Sequence, residues 1–379
     1  MNNMASPIFI WHTESDQIND FKLGIKLALE SQAKSLLILS CSQNGFQEKY
    51  ISSILETIPI PLFGGMYPNL IVDKKLLNKG YLIVGFSDTV EICHFTEIQQ
   101  LNFSELEKSI EKNDILNRKS NYLIFYDGLM QGVEVFLECL YESLGHETSC
   151  AGGGAGFLDF EQRPCVYSNQ GLLTGVIQIV AIPEKLSVGF SHGWEKFLGP
   201  FLVSQSNDSI VETLNYEPAF ELYKKSIESN SHYRFDECEF FDIAKHFPLG
   251  IESVNGDILV RDPILNSNDH LQCVGNVLVN SMVYILRGEI SSLISAAKMA
   301  SKEANKNSFD ENQPQTTVII FDCISRVLYM KDSFQQELSE IISECENRSV
   351  FGVLSIGEVA NDQSGAIKLL NKSTVVGRF

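Results

Sequence analysis

The sequence predicts an α/β fold of the α+β kind, with mixed β-sheets and helices packed outside them. Three observations carry that expectation. Short apolar runs alternate with segments of helical spacing, a strand–helix–strand–strand unit occurs three times in one order, and each copy holds an Asn-centred turn that suits a hairpin. A chain of 379 residues with 44% hydrophobic and 20% charged residues can bury a substantial core and is long enough for two domains.

The stretch Ser15 to Ser31 places Ile18, Phe21, Ile25 and Leu29 on one helical face, so residues 1–30 read as a helical segment. The first copy then opens with Leu36 to Leu39 and continues with Phe46, Tyr50, Ile51, Ile54 and Leu55 at helical spacing. A glycine turn at Phe63 to Pro68, the turn Leu76-Leu77-Asn78-Lys79-Gly80 and a strand from Tyr81 to Phe86 complete it. Ser104 with Glu107 forms an expected capping box ahead of Leu106 and Ile110. The second copy runs from Tyr122 to Tyr126 through a helix burying Val133, Phe136, Leu137, Leu140 and Leu144. It passes a glycine turn at Gly152 to Gly156 and the turn Ser168-Asn169-Gln170-Gly171 to reach Val176 to Ile182.

The third copy comprises Thr317 to Asp322, a helix with the capping pair Ser333 and Gln336, a turn at Gly357, and Leu369-Leu370-Asn371-Lys372-Ser373 before Thr374 to Phe379. Its Leu-Leu-Asn-Lys repeats that at 76 to 79, which favours duplication over coincidence. Residues 184 to 315 separate copies two and three. They contain a helix after Pro218, strands near Asp257 to Val260, Gln272 to Gly275 and Ser281 to Leu286, and a polar run from Ser301 to Gln315 around Phe309 that reads as a loop. A domain boundary falls near Asn207 to Asn215.

The formal charge of −19 opposes phosphate backbones and anionic membranes, so neither nucleic acid nor a membrane is an expected partner. Nine cysteines without CxxC spacing, and a start without a signal peptide, read as a cytoplasmic chain. Gly189-Phe190-Ser191-His192-Gly193 matches the GxSxG elbow of serine hydrolases, but Pro200 interrupts the helix that must follow, which leaves Ser191 as a secondary reading. Gly152 to Gly156 suits a tight turn or a bare-backbone ligand floor, and without a following helix it is no dinucleotide fingerprint. His192, beside Trp194, and His246 are the histidines to weigh as metal or haem-iron ligands against core or capping roles, and clustered zinc spacing is lacking. Arg261, at a strand end, can pair with a ligand carboxylate or with the protein's own acids.

Phe63-Gly-Gly-Met-Tyr-Pro, Gly152-Gly-Gly-Ala-Gly, Ser191-His-Gly-Trp194, Glu217-Pro-Ala-Phe-Glu-Leu-Tyr223, Phe247-Pro-Leu-Gly-Ile251, Val260-Arg-Asp-Pro263 and Gly352-Val-Leu-Ser-Ile-Gly-Glu358 occur in that order. Together they resemble the FIST family, the F-box and intracellular signal transduction domain. The resemblance implies an N-terminal module over 31–214 and a C-terminal module over 215–379, and a small-molecule sensor rather than an enzyme. Amino acids are the ligands proposed for the family. Some bacterial members are similar haem proteins that report nitric oxide or haem to a partner histidine kinase. Carried over residue by residue, the resemblance makes His192, Trp194, Arg261, Gly153 and Gly154 the expected ligand-binding residues and His192 the expected ligand to a haem iron.

Overall fold

The computed structural model describes residues 7–45, 47–116, 121–182, 185–253, 256–306, 317–345, 348–362 and 364–379. Phe46, Phe309 and the rest of the polar run beyond Lys306 lie outside them.

Each expected copy contains a parallel strand pair joined by helix. The first unit pairs Ser35–Cys41 with Leu62–Tyr67 across the helix Glu48–Leu55, and the second pairs Asn121–Asp127 with Cys150–Ala155 across Val133–Leu144. The third pairs Thr317–Cys323 with Ser349–Ser355 across Ile324–Met330 and Phe334–Ser343. These strands are buried along nearly their whole length, as parallel strands covered on both faces must be. In every unit a later strand returns antiparallel to the first: Tyr81–Phe86, Val176–Ile182 and Thr374–Arg378.

The hairpins between these strands close the three units into a ring. The hairpin of Asn69–Val72 with Lys75–Leu77 joins the third unit's sheet at Ser349–Ser355, and that of Val166–Ser168 with Gly171–Leu173 joins the first unit's sheet. The hairpin of Glu358–Asn361 with Ile367–Leu370 joins the second. Three sheets thereby surround a common core in which Phe125 lies 5.7 Å from Phe63 and 5.8 Å from Phe321 between ring centroids. The mixed sheets expected from the sequence are thus arranged as a three-sheet ring.

Between units two and three the chain builds a fourth, antiparallel sheet that closes on itself. Trp194–Asn207, Met282–Gly288, Leu249–Glu252, Ile258–Ser267, His270–Val274 and Ile210–Leu214 follow in order, and the last pairs back to the first. Val203, Leu214, Tyr223, Ile243 and Leu271 belong to the core of this barrel.

Several local expectations are corrected. The segments Leu62–Tyr67 and Cys150–Ala155 are strands rather than glycine turns, because their glycines let backbones pack closely inside the sheets. The capping box before the helix at Phe103 is Asn102 with Glu105, two residues earlier than expected, and Ser333 makes no side-chain cap. Ser301 to Lys306 continue the helix Ile290–Lys306, whose buried face includes Ser301 and Ala304. Residues 1–30 contribute the strand Pro7–Thr13 as well as the helix Ile18–Glu30.

Candidate functional site

Ligand clefts in α/β sheets form at the carboxyl ends of parallel strands. Here three such ends occur, one per unit, and they differ in chemistry.

At the third, charge is sealed inside. Asp322 is the penultimate residue of the first strand, Arg326 follows on the short helix, Glu337 projects from the next helix, and Glu358 opens the hairpin; all four are fully buried. Arg326 Nε lies 3.3 Å from Asp322 Oδ1, and its guanidinium also donates to Glu337 and to the carbonyls of His192, Lys372 and Leu293. Thr374 Oγ1 donates to Asp322 at 3.1 Å, and Ser355 Oγ to Glu358 at 2.9 Å. Beside them Lys372 Nζ donates to Ser325 Oγ at 2.6 Å and to the Lys245 carbonyl at 3.0 Å, and lies 3.1 Å from Asp262 Oδ1. It sits 5.0 Å above the Trp194 ring, whose Nε1 donates to the Lys372 carbonyl. Burial raises the pKa of Asp262, Glu337, Asp322 and Glu358, the last two well above the carboxylate range.

The second unit's carboxyl end opens instead into a cavity of about 250 Å³. Residues Gly128 to Val135 form one wall; Asp208, Gln272 and Asn276 of the barrel form the opposite one. Asp127, just beneath, is fixed by Gln162, Thr174 and the Gly175 N–H at 2.8 to 3.0 Å. Glu134, in the first turn of the helix Val133–Leu144, lines the cavity and spans its two walls, accepting hydrogen bonds from the Arg261 guanidinium and the Asn276 N–H.

Arg261 therefore lies directly behind the cavity wall, 2% exposed, with its remaining donors on the carbonyls of Val260, Leu369 and Asn276. Its neighbour Asp262 points to Lys372, so two adjacent residues of one strand connect the cavity to the buried ion network. Gly153 and Gly154 lie behind the same wall. A Cβ on Gly154 would meet Ile356 O at 2.1 Å and the Cα of Gly128, a cavity residue, at 2.7 Å, and one on Gly153 would meet Phe321 and Ser355. Protein backbone and side chains fill the space that a ligand floor would need.

His192 and Trp194 belong to the network. His192 Nδ1 accepts the Trp194 N–H at 2.9 Å, and the ring also contacts the Ile258 backbone. Burial, helped by the positive charge of Arg326, pushes its pKa down to about 4 and keeps it neutral at pH 7. Haem iron needs a free ring nitrogen, whereas the His192 ring spends its hydrogen bonds on the Trp194 N–H and the Ile258 backbone, so the arrangement does not fit haem. Among the described residues no cluster of three His, Cys, Asp or Glu side chains is placed to hold a metal ion. The GxSxG pattern has a packing explanation: a Cβ on Gly189 would meet Ala300 O at 2.1 Å, and Gly193 has φ of 77° beside Ser292 O. Ser191 ends a strand and is followed by another strand, so the helix that defines a nucleophile elbow is replaced.

Sequence reasoning missed Glu134, Lys372, Arg326 and Glu337 as site residues. Asp262 and Glu358 lay inside quoted motifs without being singled out. An acid directly at the end of an apolar run, as in Asp127 and Asp322, was the available signal.

The chain thus comprises three parallel units and an inserted barrel, with a cavity walled from two parts of the chain. The FIST N domain model matches residues 35–217 and the FIST C domain model residues 219–361. The chain belongs to the FIST family, as its motifs led one to expect. No curated protein matches it.

Proposed function

We propose that this chain senses a small zwitterionic ligand of amino-acid type in the cavity at the carboxyl end of the second unit. The observation that carries the reading is the Glu134–Arg261 pair, which ties the wall at Gly128 to Val135 to the barrel wall. Glu134 is the group to receive a ligand ammonium. The backbone amides that begin the helix Val133–Leu144, backed by Arg261, suit a ligand carboxylate. A volume of about 250 Å³ favours a ligand of that size over a porphyrin.

Ligand that engages Glu134 competes with Arg261, which biases the contact between the two walls and the Asp262–Lys372 pair next to it. The output passes to a partner histidine kinase or another signalling protein, and the chain acts as a receptor rather than a catalyst. A cytoplasmic setting accords with nine free cysteines, eight of them buried. Among the described residues no helix is long and apolar enough to cross a membrane.

A thermal-shift panel of the common amino acids on the full chain tests the reading. At least one should raise the melting temperature in a saturable manner, and Glu134→Gln should abolish that rise. A panel without response, or a response unchanged in Glu134→Gln, refutes the assignment.

A further inference from the structure

A second cavity, of about 580 Å³, shares no lining residue with the first. The end of the helix Ala219–Asn230, the segment His246–Phe247, the strand end at Arg287 and Tyr329 enclose it. Three features describe what it can hold.

Its walls are rings. Tyr233 and His246 lie 5.0 Å apart between centroids, His246 and Tyr329 meet edge-on at 4.9 Å, and His232 stacks on Tyr233 at 4.3 Å. The Tyr329 hydroxyl is spent on the Gly288 carbonyl at 2.6 Å, so Tyr329 offers the cavity its ring rather than a polar group. A flat aromatic ligand can stack against such walls or meet them edge to face.

Its cation is available. Arg287 lines the cavity and is exposed, and among the described residues no carboxylate lies within ion-pair distance of it. Its guanidinium rests 5.6 Å from the Phe197 ring. Glu289 is the one carboxylate among the lining residues, and it is exposed at the rim. Ile290 and Ser291, which also line the cavity, begin the helix Ile290–Lys306 and add first-turn amides that suit an anion.

His246 is a neutral hydrogen-bonding surface at pH 7. Burial pushes the pKa of His246 down to about 4, with Lys245, Lys372 and Lys331 adding positive charge nearby, and Tyr233 Oη lies 3.2 Å from Nδ1.

We infer that this cavity is a second ligand site, for a flat aromatic molecule bearing an acidic group, whose ring packs among Tyr233, His246 and Tyr329 and whose acid pairs with Arg287. The inference is independent of the amino-acid reading, since the two cavities are separate. The test is a titration of the full chain with benzoate and, in parallel, with neutral benzamide, followed by saturation-transfer NMR on the probe's ring protons. Benzoate should bind saturably. Arg287→Gln, a change at an exposed side chain, should weaken it by about tenfold or more, and benzamide should bind the unmodified chain weaker by a similar factor. Absence of saturable benzoate binding, equal affinity in Arg287→Gln, or equal affinity for benzamide would each overturn the inference.

Discussion

The tetrapeptide Leu-Leu-Asn-Lys occurs twice, and its two lysines end in opposite surroundings. Lys79 is 52% exposed and pairs with Asp16 at the surface; Lys372 is fully buried against Asp262, Ser325, the Lys245 carbonyl and Trp194. Two physical differences separate them. After Lys79 comes Gly80, with φ of 116° and no room for a side chain, since a Cβ would sit 1.8 Å from Thr13 O. After Lys372 comes Ser373, and the left-handed residue is Lys372 itself, with φ of 51°. The second difference is cover: Trp194, Lys245 and Asp262 all come from the chain inserted between units two and three, which lies over the third unit. A duplicated turn thus becomes surface or core according to the residue that follows it and the structure laid over it.

Breaking that contrast should give the largest effect. Lys372→Met leaves Asp262 buried without its cation and should cost about 3–5 kcal/mol in urea denaturation, and Asp262→Asn in the same chain should recover most of the loss. The next prediction uses pH. His192 has a folded pKa of about 4 against an ordinary 6.5, so its contribution is complete above pH 6.5 and is lost as the pH falls towards 4. Wild type should lose up to about 3 kcal/mol over that window relative to His192→Gln. The acids run the other way. Asp322 and Glu358 have raised pKa values, so their protonated forms stabilise the fold below the carboxylate range and that contribution is lost as the pH rises through the raised values. Glu358→Gln should therefore flatten the alkaline limb of a melting-temperature profile.

Smaller effects sharpen the contrast. Glu134→Gln weakens its interaction with Arg261 without emptying the site and should cost about 1–3 kcal/mol in the same denaturation assay. Lys79→Met, the counterpart of the first variant, should change stability by at most about 1 kcal/mol, since its ion pair with Asp16 lies at the solvent-exposed surface. Equal costs for the two Lys→Met changes would remove the distinction between the turns.

Much of the fold was legible because it rests on local patterns. The runs Leu36 to Leu39, Tyr122 to Tyr126 and Thr317 to Asp322 are strands, and the helix at Phe136 buries the face that its spacing marks, while that at Ile51 buries Ile51 and Leu55 but leaves Tyr50 exposed. The glycine segments misled because a glycine makes room for a tight turn and for a crossing backbone alike, and Gly152 to Gly154 serve the second purpose. Ring closure by exchanged hairpins was illegible, since no local signal tells a hairpin which sheet it will extend. The site was half legible. Arg261 was found by its chemistry, although it lies inside the strand Ile258–Ser267 rather than at a strand end, while its partner Glu134 reads as one more acid near a helix start, and only the tertiary structure brings them together. His192 and Trp194 were marked as ligand-binding and lie in the ion network, where each supports Arg326 or Lys372 through backbone and ring contacts.

Sensing at the second unit is tested most directly by hydrogen exchange on the full chain, with and without the amino acid that gives the largest thermal shift. Binding between the two walls should slow exchange together in peptides covering residues 128–135 and 271–276. Protection confined to one wall, or absent from both, would contradict the account.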